Sequence, residues 1–127
     1  MALSGIVFVH LAVTLAHAWA HVGAAVYPGP GALAFIVVVI QLGPPAGLAL
    51  MLANPRAGAR VVALTMTAAL VFGLVNHFLI PGVDHVAHVG GPWRLWFGTT
   101  AALLAITEAA GAMFAMVYGW RPARRIA

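Results

Sequence analysis

The sequence predicts an all-α membrane protein, a bundle of four transmembrane helices with both termini cytoplasmic. Hydrophobic residues fill 64% of the 127 positions, more than a water-soluble fold of this size hides from solvent. Charged side chains reduce to six arginines and two acids, too few for a conventional polar surface. The apolar residues gather in four blocks, roughly 3–26, 31–52, 60–80 and 96–118, each near the ~20 residues that cross a hydrocarbon core. The whole chain, 1–127, is read as one domain.

Helix breakers separate the blocks. Tyr27-Pro28-Gly29-Pro30-Gly31 closes the first, Asn54-Pro55-Arg56-Ala57-Gly58 the second, and Pro81-Gly82 opens a longer connection that runs to Pro92. Pro44-Pro45 falls inside block two, where neighbouring groups can take up the freed carbonyls, so a kink near Gln41 to Pro45 is expected rather than a break. The same stretch, Gly43 to Gly47, spells GxxxG, a spacing that permits close helix crossing and that also arises by chance in Gly-rich apolar sequence. Small-x-small patterns at Ala16-His17-Ala18 and Ala18-Trp19-Ala20 resemble a signal-processing site. No Lys or Arg precedes the first block and histidines interrupt it, so it is read as a retained helix.

The arginines orient the bundle. Arg56 and Arg60, placed in loop two, and Arg121, Arg124 and Arg125 after block four mark the cytoplasmic side. The net charge of +4 is thereby explained by membrane orientation, and no nucleic-acid partner is expected. Trp93, Trp96, Tyr27 and Trp120 fall near the predicted interfaces, where amphipathic rings settle. The expected location is a prokaryotic inner (plasma) membrane. The expected partners are the lipid bilayer and a homo-oligomer or larger membrane complex.

Absence of cysteine excludes thiolate metal sites, disulfides and cysteine nucleophiles. Hydrolytic motifs are missing as well: the sequence has no nucleophile elbow and no phosphate-binding glycine loop. What remains is histidine. His10, Thr14, His17 and His21 fall on one stripe of block one at about 100° per residue, and His17 and His21 have the i, i+4 spacing that presents two imidazoles to one metal. Blocks one and three run in the same direction, so Asn76 and His77 are expected at the depth of His21. Asp84, His85 and His88 follow on the non-cytoplasmic loop, although loop histidines taken singly are ordinary solvated residues and Asp84 after Pro81-Gly82 suits a turn.

His17, His21, His77, His85, His88 and Asp84 are therefore the candidate metal ligands, with His10, Glu108 and Asn76 as proton-relay or supporting groups. Imidazole with carboxylate suits Zn, Cu or Fe. Haem b is the alternative cofactor, with His21 and His77 as axial ligands and Gly73 and Gly98 leaving space for the ring. Glu108, the only acid inside a block, either stays protonated or pairs with a cation, His10 and His17 being the expected partners. Met51, Met66, Met113 and Met116 are read as packing residues before a copper path. The functional expectation is metal handling or metal-dependent redox chemistry. The alternatives are an auxiliary subunit of a membrane complex and a proton-coupled carrier using Glu108 and the histidine stripe.

Overall fold

A single residue, Asn54, separates the second helix from the third. Its side-chain oxygen accepts from Ala57 N–H at 3.0 Å, and Pro55 takes the first helical position, where a missing N–H costs nothing. The computed structural model describes residues 2–120, within which four helices are long and apolar enough to cross a membrane: α1 (Ala2–Gly23), α2 (Pro30–Ala53), α3 (Pro55–Leu79) and α4 (Gly91–Gly119). Arg56 and Arg60 thus belong to the first turns of α3, not to a loop as their charge suggested. Arg121, Arg124 and Arg125 lie outside the described residues.

The helices pack in the order α2, α3, α4, α1, and α1 touches α2 only sparsely. Small residues set the spacing. A Cβ on Gly47 would meet the Val62 backbone nitrogen at 2.9 Å, and one on Gly43 would meet Thr65 Cβ at 2.8 Å, so the GxxxG of α2 does seat α3. Gly58 answers from α3: a Cβ there would lie 2.5 Å from Gly47 O. At this end Val7, Val62, Ala63, Met66, Ala112 and Ala115 form the core, and Arg60 Nε–H donates to Gly119 O at 3.3 Å with its guanidinium over Trp120. Outward faces carry Leu15, Leu52, Leu64, Leu95 and Ile106, all well exposed.

Pro44 and Pro45 do not break α2. Residues Ile36–Leu42 wind as a π-helix and the α-helix resumes at Gly43. The Ile40 carbonyl would accept from residue 44 in an α-helix and from residue 45 in a π-helix, and neither proline has an N–H. His10 Nε2–H from α1 donates to it instead, at 3.3 Å. An orphaned buried carbonyl costs about 1–3 kcal/mol, so this bond between two sparsely touching helices repairs a defect the prolines impose. A second π segment, Val75–Leu79, ends α3 and carries His77. π segments recur at functional sites because the extra residue re-aims a side chain.

Candidate metal centre

α1 ends in a Schellman motif: Val26 N–H donates to His21 O at 3.0 Å and Ala25 N–H to Val22 O at 3.2 Å. The motif puts Ala25 at φ 55°, a left-handed conformation that costs a residue with a Cβ roughly 1–2 kcal/mol. Its product is a carbonyl folded back on the helix end, for Val26 O accepts from His21 Nδ1–H at 2.9 Å. On the far side, Val86 N–H donates to His77 O at 3.0 Å and pins the α3–α4 connection over the π segment. That fixes Asp84, whose backbone oxygen accepts from His77 Nδ1–H at 2.9 Å. From α4, Thr100 gives its own proton to Trp96 O at 2.8 Å, so its oxygen accepts from His17 Nδ1–H, also at 2.8 Å.

Each of the three imidazoles is therefore tethered at Nδ1 by an oxygen, and His21 and His77 both turn Nε2 toward that of His17. His17 Nε2 lies 3.2 Å from His77 Nε2 and 3.2 Å from His21 Nε2. The three form a histidine triad close enough to hold one metal ion. Ligands about 2.0–2.1 Å from a tetrahedral ion stand about 3.3 Å apart, which matches both spacings. Tethering of the distal nitrogen is how metal-binding imidazoles are oriented and their tautomer fixed. Phe97, fully buried, backs the cluster with its ring centroid 4.8 Å from those of His17 and His21.

Asp84 serves the triad from behind. Its Oδ1 stands 3.8 Å from His21 Nδ1, and its main chain holds His77. His85 uses both ring nitrogens on backbone, accepting from Ala87 N–H and donating to Phe78 O, while His88 Nδ1–H donates to Gly82 O at the exposed loop. Asn76 bonds back to Phe72 O and lines a surface groove with Phe35 and Val71, away from its neighbour His77. Of the two states expected for Glu108, pairing with His10 or His17 is not formed: His10 donates to Ile40, His17 to Thr100, and Glu108 Oε2 is buried without a hydrogen-bond partner among the described residues.

Beneath the triad lies a cavity of about 260 Å³ whose lining includes the three histidines, Thr14, Asp84 and Glu108. Glu108 follows Thr100 by just over two turns of α4, roughly 12 Å along the axis. The sequence reading missed Thr100 and Phe97, although both share the α4 face of Ala101, Leu104 and Glu108 at helical spacing. Thr100→Val keeps the shape of the side chain and removes the acceptor for His17. Metal affinity is expected to fall 10–100-fold, as measured by competition with a chromophoric chelator.

Comparison with protein-family models, with curated proteins and with solved structures yields no match, so the site rests on its own geometry.

Proposed function

We propose that the protein is a small integral membrane protein whose His17, His21 and His77 hold one divalent transition-metal ion, for metal-dependent redox chemistry or metal handling at the membrane. The carrying observation is the direction of the lone pairs. Val26 O and Asp84 O can only accept, and Thr100 has spent its proton, so all three Nδ1 atoms carry hydrogen. Three neutral imidazoles then gather three Nε2 lone pairs within 4.8 Å of one another, that of His17 lying 3.2 Å from each of the other two, with no donor between them. A cation in their midst turns that repulsion into coordination.

Charge supports the same reading. The chain has two acidic residues in all, and both line the cavity that the triad lines. A 2+ ion on neutral ligands in an apolar interior needs compensating charge, and the Asp84 carboxylate, 3.8 Å from His21 Nδ1, stands where it can supply part of it. Three protein ligands leave a position open toward the cavity, the pattern of catalytic rather than purely structural sites. A metal ion is favoured over haem because His17 Nε2 sits between His21 and His77, where the macrocycle of a bis-histidine haem would lie. The ends of the bundle support an orientation with Arg56 and Arg60 cytoplasmic and the triad near the opposite face.

The test is elemental analysis and an optical spectrum of the tag-free protein, extracted from membranes that have withstood an alkaline carbonate wash. About one Zn, Cu or Fe per chain is expected. Ligation requires neutral imidazoles, so acidification should release the ion and return to neutral pH should restore it. Carbonate-extractable protein would overturn the membrane assignment. No bound metal after reconstitution with each ion would overturn the metal assignment.

A further inference from the structure

The cavity has a second polar pole that the triad does not use. Glu108 is 2% exposed, and its Oε2 has no hydrogen-bond partner among the described residues. Across from it on α3, Gly73 offers no side chain, and a Cβ there would come into ordinary contact with that oxygen at 3.7 Å; both residues line the cavity. The remaining walls are mostly apolar, with Ile36, Ile40, Phe72 and Leu104, and carry Gln41 and Thr14 as polar members. A carboxyl group kept at mid-depth in an apolar chamber and left unpaired is an expensive arrangement without an occupant.

The chamber also has a door. Its lining includes Val22 on α1, Leu33 on α2 and Tyr27 between them, which are 54%, 50% and 66% exposed. These residues flank the seam where α1 and α2 touch sparsely. Given the membrane placement proposed above, that seam faces lipid, and what passes it must be soluble there. A cavity of 150 Å³ in a protein core accommodates benzene, so one of about 260 Å³ accommodates a substituted or bicyclic ring.

We infer that this cavity binds a small, uncharged, lipid-soluble alcohol or phenol that enters from the bilayer between α1 and α2 and places its hydroxyl on Glu108. A hydroxyl both donates and accepts, so it satisfies Oε2 whether the carboxyl is ionised or protonated. The ring or chain fills the apolar middle, and its far end lies under the histidine triad. Binding itself asks nothing of a metal.

Photolabelling of the full chain in phosphatidylcholine vesicles tests this, using benzyl alcohol that carries a trifluoromethyl-diazirine and locating the adducts by mass spectrometry. Labels are expected on Phe72, Leu104 and Ala105, suppressed by excess 2-naphthol, in both metal-loaded and chelator-treated protein. Gly73→Leu, which projects into the chamber, should lower these adducts at least tenfold while leaving those on outward Leu103 and Ile106 unchanged. Ala18→Trp at the mouth gives the same reading should the first variant not fold. Glu108→Leu should abolish the preference for the alcohol over the matching diazirine toluene. Adducts confined to outward residues, or cavity adducts indifferent to 2-naphthol and to both blocking variants, would overturn the inference. Cavity adducts in a protein that binds no metal would sustain it while the metal assignment fell.

Discussion

His77→Ala is expected to empty the proposed metal centre. Two imidazoles on one turn of α1 remain, but the ion loses its only ligand from another helix and the third corner of the coordination shell. Loss of even a supporting group costs 10–100-fold in affinity, so loss of a direct ligand is expected to exceed ~100-fold. Elemental analysis after gel filtration should fall from about one ion per chain to under a tenth. His17→Ala should do the same, since its Nε2 stands between the other two. His10→Ala provides the contrast. It lies on the same α1 stripe but points Nε2 at the Ile40 carbonyl, so metal content is retained while thermal stability drops by roughly 1–3 kcal/mol. Equal metal loss in all three variants would mean that the stripe, not the triad, is the unit.

Gly58→Val is expected to be the most damaging substitution to the fold. A Cβ at this position meets the Met51 backbone nitrogen and Gly47 O, so the clash is with main chain on α2 and no rotamer relieves it. Overpacking of a formed core costs typically 1–3 kcal/mol, and more where backbone must move. We expect a loss above about 3 kcal/mol, seen as failure to accumulate in membranes or as a collapsed unfolding transition in detergent. Gly5→Ala makes the control: nothing lies within 4 Å of its Cβ, and Ala in a helix interior improves on Gly by roughly 0.5–1 kcal/mol.

Much of this was legible in the sequence because its physics is local. Block length and composition gave four helices, and the period of 3.6 gave His17 and His21 on one face. Matching His77 to His21 needed only the parallel course of α1 and α3. Other features depended on contacts between distant segments. Glu108 was expected either to stay protonated or to pair with a histidine; the nearby imidazoles are committed elsewhere, a fact set by Pro44, Pro45 and Thr100. Arg56 and Arg60 read as loop because of their charge, whereas the Asn54 cap and Pro55 begin the helix before them. Asp84 carried even weights as turn residue and ligand. It lies between the two, holding His77 through its main chain and facing His21 with its carboxylate.

The one-residue turn at Asn54 has a consequence for how such a chain can change length. An added residue there would rotate α3 by about 100° against α2, carry Gly58 off the face of Gly47, and drive larger side chains into the crossing. The exposed backbone around Gly90, with nothing within 4 Å of a Cβ, tolerates an extra residue without turning any helix. Insertions and deletions in descendants of this sequence should therefore collect near Gly90 and be purged at Asn54, making α2 and α3 an indivisible unit of inheritance.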